Sequence, residues 1–168
     1  MLASHFSIPR GDPGTLQTVA HMKRLVNEST GVPLVRSTAA AIAVANGTKG
    51  LQQARGIRAY LDERTIFLRE PRNRELLHSP ELLLQSILRQ GYAAIDCDDV
   101  AILGAALGKS IGLRARFVVV GFSSPAAPFR HVWTELADPA KPVWVDMDTT
   151  RPYQVLPATI GRALAIEV

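Results

Sequence analysis

Hydrophobic positions recur at helical spacing through the first half of the chain and at strand spacing through the second. Leu16, Val19, Ala20 and Val26 mark one face of a first helix. The alanine-rich run from Thr38 to Asn46 reads as a second, closed by Gly47 as a C-terminal cap. Thr48 is expected to cap a third, in which Leu51, Ala54, Ile57 and Leu61 repeat on one face. Thr65-Ile-Phe-Leu-Arg69 is extended and stopped by Pro71. Ser79-Pro80 is an N-cap and first-turn pair that opens a helix through Leu83, Leu84, Ile87 and Leu88, ending at Gly91. Another helix starts at Cys97 and ends near Gly112.

From there the period shortens to two. Arg114-Ala-Arg-Phe-Val-Val-Val-Gly-Phe122 is rich in β-branched and aromatic residues and is followed by a loop from Ser123 to Pro128. Arg130 to Leu136 and Pro142 to Asp148 read as two further strands joined by the turn-like Asp138-Pro-Ala-Lys141. Three successive strands without intervening helices imply an antiparallel meander. Helices first and strands afterwards predict an α+β fold, with the N-terminal helices packed on the sheet. We expect one domain over residues 1–168, with its core at about 79–152.

Composition narrows the class. The chain has 168 residues, of which 47% are hydrophobic, enough for a globular domain with a sizeable core. No apolar run is long enough to span a membrane, and residues 1–10 lack the charged start and long apolar stretch of a secretory signal. A cytoplasmic location is expected, with no membrane partner. The formal net charge of +4 is spread over Arg55, Arg58, Arg64, Arg69, Arg72, Arg74, Arg114, Arg116, Arg130 and Arg151. No basic stripe interleaved with aromatics forms, so no nucleic-acid partner is expected.

Candidate chemistry centres on Cys97, the single cysteine, which lies where an acidic cluster gives way to an apolar helix. The first turn of a helix presents unpaired N–H groups and the positive end of the macrodipole, both of which favour thiolate over thiol. Asp96, Asp98 and Asp99 act against ionisation, so something cationic must compensate. A cysteine nucleophile needs a base, and the base an orienting partner. His5, His21 and His78 suit surface or half-buried roles. His131 sits in a strand just after a loop that would border a cleft. Asp146 and Asp148 share one face of the next strand, because strand side chains alternate, and either would reach His131 if the two strands pair. At Asp96, Asp98 and Asp99 the reading is capping and dipole compensation, and no metal or cofactor is expected.

Cys97-Asp-Asp-Val-Ala101, Leu107-Gly-Lys-Ser-Ile-Gly112, Arg114-Ala-Arg-Phe-Val118, His131-Val-Trp-Thr-Glu-Leu136 and Trp144-Val-Asp-Met-Asp-Thr-Thr150 stand in an order and spacing that resembles the transglutaminase-like superfamily of papain-type cysteine enzymes. The similarity covers residues 91–152, and Phe67 to Pro71 and Ser79 to Leu82 resemble the region before the cysteine in bacterial and tailed-phage versions. The resemblance implies Cys97 as nucleophile, His131 as general base and then acid, and Asp148 as the orienting carboxylate, with Asp146 in reserve. It implies a peptide or protein substrate and a thioester intermediate resolved by water, as in a protease or amidase, or by another amine, as in a transglutaminase-like acyltransferase, with hydrolysis the preferred outcome. Where many relatives carry glycine two residues before the cysteine, this chain has Ile95. An alternative is a non-catalytic structural or assembly protein of phage particles that keeps the fold, in which case the location would be the virion.

Two rival motifs fail on context. Asp146-Met-Asp-Thr149 with Thr150 is similar to the opening signature of haloacid-dehalogenase-like phosphatases, but too little chain follows it. Asp96-Cys-Asp-Asp99 is similar to a terpene-cyclising motif, which needs a much longer helical barrel. The Cys97 N–H is expected to supply one oxyanion donor, Gln90 is a weak candidate for a second, and Trp133 and Trp144 are expected in the core or walling the cleft.

Overall fold

The computed structural model describes residues 3–5, 11–68, 76–141, 143–150 and 160–168. Their elements run β1 (Ala3–His5), α1 (Asp12–Ser29), α2 (Pro33–Asn46), α3 (Gly50–Arg64), β2 (Thr65–Phe67), β3 (Leu76–His78), α4 (Pro80–Gln90), β4 (Ala93–Ile95), α5 (Cys97–Ser110), β5 (Arg114–Phe122), β6 (His131–Ala137), β7 (Trp144–Asp146) and β8 (Ile160–Glu167). The helices pack on a four-stranded antiparallel sheet of order β7-β6-β5-β8, the α+β arrangement expected from the helix-then-strand pattern. Two short ribbons stand apart from it, β1 antiparallel to β3 and β2 parallel to β4.

Helix α5 decides the layering. Every residue from Asp99 to Gly108 is buried, so the helix has no solvent face and must be covered on all sides. It packs against β5 and β6 on one side and against α1, α2, α3 and α4 on the other. Its small residues allow close approach: a Cβ added at Gly108 would run into the Leu136 side chain on β6. Ile102, Leu103, Leu107, Phe117, Leu136 and Met147 are fully buried around it, each contributing roughly 1.5–3 kcal/mol of apolar burial.

Local signals set several boundaries. Ser79 accepts a hydrogen bond from the Leu82 N–H (3.3 Å) and Pro80 occupies the first turn of α4, while Gly91, at φ 89°, ends it in the left-handed conformation. Asp96 caps α5 in the same way through the Asp99 N–H (3.2 Å). Gly47 closes α2 as expected, but that helix begins at Pro33, whose fixed φ suits a first turn, rather than at Thr38.

Four local expectations are corrected. Thr48 does not cap α3; Lys49 holds that position and makes no side-chain cap. The buried face of α1 is formed by Val19, Met22, Leu25 and Val26, leaving Leu16 and Ala20 outside, because the helix is rotated to follow Thr18, Met22, Leu25 and Ser29. Leu88 is 71% exposed in the last turn of α4, off the face of Leu83, Leu84 and Ile87. The sheet has a fourth strand, β8, paired with β5 over Arg116↔Glu167 to Phe122↔Ile160. Arg69, Pro71, Arg72, Arg74, Pro142 and Arg151 lie outside the described residues. Among the described residues, no helix is long and apolar enough to cross a membrane.

Candidate active site

Antiparallel pairing of β6 with β7 brings the histidine strand and the aspartate strand together through the turn at Asp138 to Lys141. The pairs run Glu135↔Asp146 to Ala137↔Trp144, and the Met147 N–H then donates to the Thr134 carbonyl (2.8 Å). One residue further on, Asp148 meets His131: its Oδ2 lies 2.8 Å from the imidazole Nε2. Both side chains are shut away from water, at 7% and 10% exposure.

Burial by itself raises the pKa of Asp148, but hydrogen bonds from His131 and Thr150 outweigh it and hold the carboxyl below its ordinary value. Thr150 contributes twice, its hydroxyl at 2.5 Å and its N–H at 3.1 Å from Oδ1. An ionised carboxylate only accepts, so the proton between the two residues sits on Nε2 of His131. Phe122 stacks over the imidazole at 6.4 Å between ring centres and Trp133 tilts against it at 5.8 Å.

Cys97 opens α5 directly after the Asp96 cap. The helix is fastened along β6: the buried Thr134 hydroxyl donates to the Ala101 carbonyl (2.6 Å), and Val132 presents its backbone N–H to the Cys97 sulfur. Val132 directly follows His131, so the thiol and the imidazole are brought to the same end of β6.

The thiol itself is not pre-activated, contrary to what its place at a helix start implies. Burial around the sulfur pushes its pKa well above the ordinary value, and Asp98 and Asp96 push it further, against a smaller opposing effect of the Val132 N–H. The thiol donates to Asp98 Oδ1 at 3.6 Å. The residue as a whole keeps partial exposure.

Asp146 does not share the position of Asp148. Strand β7 ends at Asp146, and the two carboxylates take different partners. The Asp146 carboxylate pairs with Arg58 on α3, whose Nη1 also donates to the Asp146 carbonyl (3.0 Å), and it accepts the Asp148 N–H at 3.2 Å. It is therefore a brace under Asp148. Asp99 is 2% exposed and holds β3 to the start of α5: its carboxylate accepts the His78 N–H (2.9 Å) and lies 2.6 Å from His78 Nδ1. Gln90 bonds to Ser86 and to the Tyr92 carbonyl. Trp144 lies under the Arg116 guanidinium, 4.0 Å from its ring centre, on the face of the sheet that carries Trp133. Among the described residues no group of three or more metal-ligating side chains forms.

Sequence reasoning missed Arg58, Val132, Thr134 and Thr150 as contributors to this site. Thr150 alone had a local signal, standing two residues after Asp148 where its N–H and hydroxyl can turn back on the carboxylate; the others act across the fold.

No curated protein and no solved structure matches the chain at a significant level. The family model of the transglutaminase-like superfamily matches residues 36–149, which run from the second helix past the pair formed by His131 and Asp148. The chain therefore belongs to the transglutaminase-like superfamily, which includes cysteine proteases and acyltransferases.

Proposed function

We propose that the protein is a cysteine enzyme that cleaves an amide in a peptide or protein substrate through a thioester on Cys97. The observation that carries this reading is the 2.8 Å bond of Asp148 to His131 Nε2 at the end of the strand whose next N–H meets the Cys97 sulfur. With Nε2 committed to Asp148, Nδ1 is the nitrogen that receives the thiol proton as sulfur attacks the carbonyl carbon. The Cys97 N–H at the start of α5 stabilises the oxygen as it becomes negative. The C–N bond then breaks and the imidazolium returns its proton to the leaving amine. Water attacks the thioester with Nδ1 taking its proton, releasing a carboxylic acid and restoring the thiol. Asp148 keeps the imidazole oriented and balances its charge throughout.

The elevated pKa of Cys97 favours a second reading, a non-catalytic assembly protein that retains the fold around an inert thiol. Iodoacetamide labelling across pH separates the two. The enzyme reading expects alkylation of Cys97 at neutral pH that is lost in His131→Ala. Labelling confined to strongly alkaline pH and indifferent to His131 assigns the non-catalytic role.

A further inference from the structure

The parallel ribbon that leads into Cys97 turns an apolar face outward. Its inner side chains, Ala93 and Ile95, are buried in the core at 1% and 4% exposure. Register pairs Ile66 with Ala94, and the Leu68 N–H continues the ladder to the Ile95 carbonyl (2.9 Å), which sets Leu68 beside Asp96. Alternation then puts Ile66, Leu68, Tyr92 and Ala94 on one face. All four are exposed, Ile66 at 52%, Leu68 at 61% and Tyr92 at 41%. An isolated exposed leucine requires no explanation, but a contiguous apolar stripe does. At its end Leu68 stands beside Asp96, one residue before the candidate nucleophile.

A substrate whose carbonyl lies at Cys97 must lay its adjoining residues on surface within one or two residues' reach, about 3.3 Å per extended residue. The ribbon is such a surface, continuous in chain with the nucleophile. The charges at its end restrict what fits. Asp96 follows the ribbon as the cap of α5 and Asp98 lies 3.6 Å from the sulfur, so an anionic side chain is repelled where an apolar one finds cover.

We infer that Ile66, Leu68, Tyr92 and Ala94 form the binding strip for an apolar residue next to the scissile amide, so that the substrate is an extended peptide with a large aliphatic side chain, not an acidic one, at that place. The inference rests on the reading of Cys97 as the acylated nucleophile.

The test compares two reagents on the whole protein. Peptidyl acyloxymethyl ketones carrying Leu or Asp beside the reactive carbonyl report the strip, and iodoacetamide reports the thiol alone. The Leu probe should label Cys97 roughly tenfold faster than the Asp probe. Leu68→Ser and Ile66→Ser should each remove most of that preference while iodoacetamide labelling stays unchanged. Equal labelling by the two probes, with iodoacetamide still reacting, overturns the strip and leaves the nucleophile reading intact. If neither ketone nor iodoacetamide labels Cys97 at neutral pH, the nucleophile reading falls and the strip with it. Sedimentation is the final arm: a dimer that Leu68→Ser converts to monomer assigns the strip to a second copy of the chain and overturns the proposal.

Discussion

Cys97 and Asp148 are both acids largely withdrawn from water on the two sides of the candidate site, and they respond in opposite directions. Burial raises the pKa of each. Around Asp148 it is overcome by three donors, from the His131 imidazole and from the Thr150 hydroxyl and N–H. Around Cys97 the neighbours add to it, because Asp98 and Asp96 are carboxylates and only the Val132 N–H acts the other way. Ionisation in a protein interior is thus decided by the sign of the nearest polar groups more than by burial. The resting site therefore pairs a protonated thiol with an ionised carboxylate, so in the proposed mechanism proton transfer to His131 belongs to the attack itself.

The largest break in that comparison comes from removing the carboxylate. Asp148→Ala strands the buried Nε2–H of His131 and both Thr150 donors, and urea unfolding at neutral pH should show a loss of about 2–4 kcal/mol. The acid limb of stability should change as well. Because the folded pKa of Asp148 lies below its ordinary value, acidification protonates the unfolded chain first. The contribution is present above about pH 3.9 and is lost as pH falls through the folded value. Unfolding followed from pH 6 to pH 2 should fall less steeply in Asp148→Ala than in the wild type; parallel curves would refute the donor argument.

The thiol side should respond less and in the opposite sense. Asp98→Asn removes the carboxylate nearest the sulfur, so the thiol pKa falls and iodoacetamide labelling at neutral pH should rise roughly three- to tenfold. The raised folded pKa of Cys97 means that its contribution to stability is fully present below the unfolded thiol value of about 8.5 and is lost as pH rises through the folded value. That alkaline decline should be shallower in Asp98→Asn, and slower labelling in the variant would show that Asp98 helps rather than hinders the thiol.

The smallest effect is expected at the brace. The Arg58–Asp146 pair is partly exposed, at 21% and 58%, where solvent screens it. Arg58→Ala should cost less than about 1 kcal/mol by urea unfolding. A larger loss would mean that Asp146 transmits Arg58 to the bond between Asp148 and His131.

The legible parts of this chain are those that depend on near neighbours. Ser79-Pro80 and Gly91 bounded α4, and the β-branched run of β5 and the turn after β6 announced a meander. The unread parts depend on distant ones. Strand β8 is a Gly- and Ala-containing edge strand with a weak alternation, and it exists through pairing with β5 far earlier in the chain. The ribbon of β2 with β4 has only three residues a side and a crossover between its strands, so neither half stands out on its own. Asp146 and Asp148 looked equivalent by alternation, and what separates them is their partners, Arg58 on a distant helix for one and His131 for the other.

By itself the sequence determined which residues are candidates for chemistry and in what order they occur, since helix caps, strand periodicity and the spacing of Cys97, His131 and Asp148 are properties of short segments. Tertiary structure alone decided that Asp146 belongs to Arg58 and that the thiol rests protonated. Each of these is set by which groups lie within hydrogen-bond or Coulomb reach after folding, and those distances are not functions of sequence separation.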